Sequence, residues 1–299
     1  MKNGDFGQVL TAMVTPFDAH GNVDEAGTAR LVEHLLDHGS DGIVVSGTTG
    51  ESPTLTYSEK LRLFHLVKRT VGDRGTVVAG TGGNDTASSA ALTREAADIG
   101  VDGALLVVPP YNKPSQEGLY RHFSAIAASA PSLRCILYNV PSRTAQNLEP
   151  STTVRLAKDV ENIVAIKEAS GNLMACAEIF GSAPDGFALY SGDDGMTLPI
   201  LAVGGIGVVS VVSHLTGNEM KEMHSAFFAG DRQRAAALNV KMLPIVRACF
   251  QTTTPSPAPL KAALEMLGLP GGGLRLPLVE ANESERGIVR SALTQYGML

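Results

Sequence analysis

The sequence predicts an α/β protein, a (β/α)8 barrel with a C-terminal helical extension. Three observations lead there. Eight short apolar runs recur over about the first 230 residues, segments of helical spacing separate them, and most of the runs are continuous rather than alternating. Continuous apolar runs mark strands covered on both faces, as in a parallel sheet flanked by helices. Eight such units in about 230 residues fit a closed barrel. An open doubly wound sheet is the alternative, but no G-x-G-x-x-G fingerprint follows the first run.

In chain order the apolar runs are 9–14, 42–46, 76–79, 104–108, 135–138, 163–166, 187–190 and 207–212. Between them, 24–38, 58–71, 85–99 and 115–129 carry apolar residues at helical spacing. These segments open on Asp or Ser, whose side chains cap the first free N–H groups of a helix. Gly39, Gly72 and Gly100 stop three of them. Residues 195–213 carry no charge and are long enough to suggest a membrane span. Pro199, Gly204, Gly205 and Gly207 interrupt the stretch, which reads as a buried helix, a glycine turn and a buried strand. Beyond residue 230 the strand signal stops. Segments 231–250, 259–267 and 283–296 read as helices, with the proline-rich connector TTTPSPAP at 252–259. The expected organisation is therefore a catalytic barrel over 1–230 and a helical extension over 231–299.

Composition narrows the function classes. The 299 residues are 44% hydrophobic but only 5% aromatic, with no Trp, so the core must rest on Val, Leu, Ile and Ala. The net charge is −6 and no dense Lys/Arg run occurs, which argues against nucleic acid as a partner. Cys135, Cys176 and Cys249 are far apart and lack CxxC spacing. That argues against a disulfide framework or a zinc knuckle and points to reduced thiols in a cytoplasmic enzyme. The N-terminal stretch has no apolar core of the kind a signal peptide needs.

Barrel enzymes gather their chemistry at the C-terminal ends of the strands. Of nine lysines, only Lys167 terminates an apolar run, in IVAIKE. Partial desolvation there favours the neutral amine, the form that attacks a ketone to give an imine. The plain alternative is a lysine paired with a carboxylate at the barrel mouth. Tyr138 closes RCILY and places a phenol near the same face for proton transfer. Thr48 and Thr49 lie in the turn GTTGES, where successive N–H groups and hydroxyls can hold a carboxylate. Arg143, in VPSRT, can bind a second carboxylate through two parallel hydrogen bonds. Taken singly these residues also fit core packing, an ordinary turn and a surface ion pair; their convergence on one face favours function.

Other groups point to structure. Asp193 and Asp194 sit where a helix begins and are expected to cap it rather than hold a metal. Glu168 neighbours Lys167 on a strand, so it faces the opposite way, outside the barrel. His34 and His38 are one turn apart but lack the HExxH glutamate, and read as a solvated face. Gly80–Gly83 lacks the P-loop lysine and reads as a tight turn.

The motifs GTTGES (47–52), GTGGN (80–84), PPYNKPSQEGLYRHF (109–123), YNVPSRT (138–144), IKEASGN (166–172), SGDD (191–194) and GVVSV (207–211) span almost the whole chain. By them the chain resembles the dihydrodipicolinate synthase branch of the pyruvate-dependent class I aldolases. The resemblance implies a Schiff base between Lys167 and pyruvate, with Tyr138 as proton donor and acceptor. It implies a proton relay of Thr48, Tyr111 and Tyr138, with Tyr111 supplied by a neighbouring subunit. Thr49 would bind the pyruvate carboxylate, the Val209 backbone would line that pocket, and Arg143 would hold the carboxylate of L-aspartate 4-semialdehyde. It also implies a cytoplasmic homotetramer built of tight dimers, with small-molecule substrates, no metal, no cofactor and no membrane or nucleic-acid partner.

The chain departs from the family pattern in three places. Pro110 replaces the first of two tyrosines. Tyr57, Lys60 and Ser88 stand where the family's lysine feedback site has histidines and a glutamate, so weak or absent lysine inhibition is expected. The connector around Ser256 lacks the asparagine often found before the family's proline pair. Two other readings compete: a sibling lyase or sugar-acid dehydratase with the same imine, which would not need Arg143, and a 2-oxo-acid-binding barrel without turnover, which would not need the Lys167, Tyr138, Thr48 and Tyr111 set.

Overall fold

The computed structural model describes residues 4–299; residues 1–3 of the N-terminal stretch lie outside it. The eight apolar runs form eight parallel strands: β1 (Val9–Ala12), β2 (Gly42–Val45), β3 (Thr76–Gly80), β4 (Gly103–Val107), β5 (Arg134–Asn139), β6 (Ile163–Glu168), β7 (Ala188–Ser191) and β8 (Gly207–Ser210). Each pairs with the next and β8 returns to β1, so the sheet closes and has no free edge. The first and last strands are shorter than their apolar runs. Residues 13–14 and 211–212 leave the ladder and line the mouth side, their apolar side chains still buried.

The expected helices form as α1 (Glu25–Asp37), α2 (Tyr57–Val71), α3 (Thr86–Ile99) and α4 (Gln116–Ala128). Asp24, Asp85 and Ser115 cap three of them as expected. In α2 the cap is Thr56 rather than Ser58, because Thr56 and Glu59 form a reciprocal capping box. The circuit continues with a short α5 (Pro141–Thr144), α6 (Pro150–Asp159), α7 (Leu173–Ser182), α8 (Thr197–Ala202) and α9 (Ser213–Phe228). The uncharged 195–213 stretch is thus α8, a turn at Gly204 and β8. Among the described residues no helix is long and apolar enough to cross a membrane.

Two apolar layers result. Leu10, Val44, Val78, Ile136 and Tyr190 fill the barrel interior, while a larger cluster including Leu31, Phe64, Phe123 and Ile166 lies between strands and helices. The extension consists of α10 (Arg232–Cys249), α11 (Ala258–Met266) and α12 (Glu283–Tyr296). It folds back on the barrel. In α11 the run Ala258 to Leu264 is buried throughout.

Candidate active site

Lys167 and Tyr138 are register partners on adjacent strands. Both side chains are about 5% exposed, and Lys167 Nζ lies 4.1 Å from the centroid of the Tyr138 ring. No ion pair involves Lys167 among the described residues, so pairing with a carboxylate does not account for its position. Its stem occupies the space beside Gly192, where an added Cβ would sit 3.0 Å from Lys167 Cγ and Cε and 2.8 Å from Ala169 Cβ. That close approach explains the glycine in SGDD. Glu168 faces outward as expected, buried and accepting from Asn139 Nδ2 at 3.0 Å and from the Ser170 N–H at 2.6 Å.

A cavity of about 190 Å³ brings Lys167, Tyr138, Thr48, Thr49 and Arg143 together. A second, of about 380 Å³, shares Thr48, Tyr138 and Arg143 and extends over Gly82 and Asn84. The turn that supplies Thr48 and Thr49 leaves β2 through Ser46, at φ +57°, and closes on itself. Gly50 N and Ser52 N donate to Gly47 O, and Glu51 N donates to Thr48 O. Arg143 sits on α5 with its side chain reaching out, and its Nη2 donates to Ser256 O at 3.4 Å. The proline-rich connector thus walls the inner cavity beside Phe250.

Val209 is 1% exposed and belongs to the barrel interior, while Val211 walls the inner cavity. Tyr111 is not brought to the others. It is 90% exposed, stands at φ +75° in the loop after β4, and lines neither cavity. Tyr57, Lys60 and Ser88 lie on α2 and α3, away from both cavities, and the Tyr57 hydroxyl donates to Glu95 at 2.6 Å.

The acidic pair divides. Asp193 accepts from Gly195 N at 2.8 Å and caps a short 3-10 turn, as expected. Asp194 does not cap its own helix. Its buried carboxylate crosses to the turn after β8, taking the Ser210 hydroxyl, Val211 N at 3.0 Å and Val212 N at 3.4 Å. Burial raises its pKa while these donors pull the other way. Nearby, His214 accepts from Val14 N at 3.1 Å through Nε2 and donates to Val211 O at 2.7 Å through Nδ1. That pattern requires the neutral ring, and burial lowers its pKa to about 4. His34 on α1 and His38 just past its end stack at 4.1 Å. Among the described residues no group of three or more His, Cys, Asp or Glu is placed to hold a metal ion. The cysteines are buried and unpaired, and burial pushes the Cys135 and Cys176 thiols up to about 12.

Gly192, Val211 and the Asp194 bridge escaped sequence reasoning. Each matters through a neighbour distant in sequence. All three lie inside quoted motifs, Gly192 and Asp194 in SGDD and Val211 in GVVSV, but the motifs do not show what each one touches.

A family model described as the dihydrodipicolinate synthetase family matches residues 5–296. A 4-hydroxy-tetrahydrodipicolinate synthase of Moorella thermoacetica is 56% identical over 294 residues, covering 98% of this chain and 99% of that protein. A crystal structure of a dihydrodipicolinate synthase from Bacillus anthracis superposes with a TM-score of 0.94 at 51% identity, covering 97% of this chain and 98% of the other. A dihydrodipicolinate synthase from Cyanidioschyzon merolae, solved with lysine bound, gives a TM-score of 0.96 at 46% identity over 98% of this chain and 99% of that one.

Proposed function

The chain belongs to the dihydrodipicolinate synthetase family, and from that premise we propose that it condenses pyruvate with L-aspartate 4-semialdehyde to 4-hydroxy-tetrahydrodipicolinate through an imine on Lys167. One observation supports this most: an amine without a carboxylate partner stands inside the barrel, beside a phenol and two threonines, in one small cavity.

The neutral amine of Lys167 attacks the ketone of pyruvate, and loss of water gives the imine. Removal of a methyl proton gives the enamine, whose carbon attacks the aldehyde and forms the new C–C bond. The amino group of the semialdehyde then displaces Lys167 from the imine carbon and closes the ring. One water leaves in all, and the lysine is regenerated. Tyr138 moves the protons, with Thr48 and with Tyr111 from a neighbouring subunit as its relay. Thr49 and the backbone near Val209 hold the pyruvate carboxylate. Arg143, at the edge of both cavities, takes the second carboxylate. A neutral sugar-like aldehyde would leave that guanidinium without a charge to match. We assign catalysis to the barrel over 1–230, place the extension over 231–299 around it, and assign a cytoplasmic homotetramer of tight dimers.

The test is the condensation rate with both substrates, coupled to the next reductase and read as NADPH oxidation. A turnover of roughly 1–10³ per second is expected. No turnover with the semialdehyde, while borohydride still traps pyruvate on Lys167, would overturn the assignment of the second substrate.

A further inference from the structure

The turn that carries Thr48 and Thr49 is gripped by a residue that lines neither cavity. Glu51 stands two positions past Thr49 at φ +56°, a conformation that costs a non-glycine residue about 1–2 kcal/mol. Its side chain is fully buried and faces Lys261 of α11, itself 3% exposed, with Nζ to Oε1 at 2.7 Å. The ammonium donates its hydrogen bonds to Thr15 O at 2.8 Å and Gly273 O at 2.6 Å, and meets Glu51 Oε1 as a charge contact only. The second carboxylate oxygen of Glu51 accepts from Arg275 N at 3.0 Å. The Arg275 guanidinium continues to Glu59, at 2.5 and 3.0 Å, and to Thr54 O at 2.8 Å. Thr15, which receives Lys261 on its carbonyl, donates its hydroxyl to Gly50 O at 2.7 Å. The turn is therefore clamped between the end of β1 and the C-terminal extension.

Among the described residues this is the one ion pair with both side chains fully enclosed; the next most buried, Arg275–Glu59, is 19% and 11% exposed. Enclosing two charges roughly breaks even against apolar side chains of the same size, so net stability is a poor explanation for the pair. What apolar side chains would not supply is direction. The carboxylate fixes Glu51 in its left-handed conformation, and with it the aim of the two preceding residues.

We propose that Glu51 and Lys261 are positioning residues, a buried ion pair through which the C-terminal extension sets the geometry of the Thr48–Thr49 turn for a 2-oxo acid. This rests on the reading of Lys167, Thr48 and Thr49 as the pyruvate site. A misplacement of about 1 Å costs on the order of 10²-fold in rate.

The experiment uses the full-length double variant E51Q/K261M, which removes both charges and keeps both volumes, beside the wild type. Thermal melting, separate KM values for pyruvate and semialdehyde, and borohydride trapping followed by mass spectrometry are measured on each. The expected result is a folded variant with a modestly lowered melting temperature, because Thr15 O and Gly273 O lose a donor, a pyruvate KM raised at least about tenfold, slower trapping, and a semialdehyde KM at the wild-type value. A double variant with wild-type pyruvate KM and trapping rate overturns the inference. So does one that no longer folds, since the pair would then act through stability. Absence of trapping on wild-type Lys167 would instead sink the pyruvate reading itself, which keeps the two failures apart.

Discussion

The two ends of this barrel are built by opposite rules. At the floor, where chains enter the strands, left-handed backbone is carried by glycine alone among the described residues: Gly7, Gly39, Gly72, Gly100, Gly186 and Gly204. At the mouth stand all five of the described non-glycine residues with positive φ: Ser46, Glu51, Tyr111, Lys113 and Ala145. The floor is filled by Phe6, Leu10 and Tyr190, and the Tyr190 hydroxyl is satisfied by Phe6 N at 2.9 Å and Gly4 O at 3.3 Å. The register partner of Lys167 on one side is Tyr190, committed to the floor, and on the other Tyr138, walling the cavity. The same strand geometry thus serves packing at one end and chemistry at the other. Among the described residues, left-handed backbone in non-glycine residues is confined to the end that carries the proposed site.

That contrast can be broken most directly with Lys167→Ala. Turnover should fall below detection in the coupled assay while the melting temperature stays near the wild-type value; an active variant would overturn the imine mechanism. Leu10→Ala at the floor should do the reverse, losing about 2–5 kcal/mol in urea unfolding with kcat unchanged. Acid sharpens the contrast. His214 and His122 have folded-state pKa values lowered to about 4, burial being the main cause. The unfolded chain binds more protons between about 6.5 and 4, so this stability is fully present above pH 6.5 and is lost as pH falls toward 4. Melting temperature should drop across that window, and His214→Gln should flatten the drop. Arg143→Ala should raise the semialdehyde KM at least about tenfold, the value of a hydrogen bond to a charged group at about 1.5–3 kcal/mol, and leave the pyruvate KM alone. The smallest effect is expected from lysine. With Tyr57, Lys60 and Ser88 at the matching positions, millimolar lysine should lower the rate by less than about twofold, below the roughly fivefold at which typical allosteric coupling begins; strong inhibition would overturn the expectation.

Much of the fold was legible because a closed parallel barrel repeats one simple signal. Each strand shows as an apolar run, and each long helix as a 3.6-residue stripe with a cap. Lys167 and Tyr138 were legible as candidates because they sit at strand ends, and Thr48, Thr49 and Arg143 because they lie in the segments that follow strands at the mouth. What stayed hidden is pairwise and distant. Nothing local marks Glu51 as the partner of Lys261, or Asp194 as the support of Ser210 and Val211. The capping residue of α2 was misplaced by two positions because a serine stood closer to the apolar stripe than Thr56, whose box with Glu59 decides the boundary.

The clamp on the 47–52 turn has a consequence in time. Arg275 follows Glu51 by 224 residues, so on the ribosome, at about 5–20 residues per second, the early-made turn waits roughly 10–45 s for the C-terminal segment that holds it. A nascent chain can close its barrel well before then and still lack a finished turn. A chain cut short after the barrel should therefore be a shell whose turn lacks its clamp.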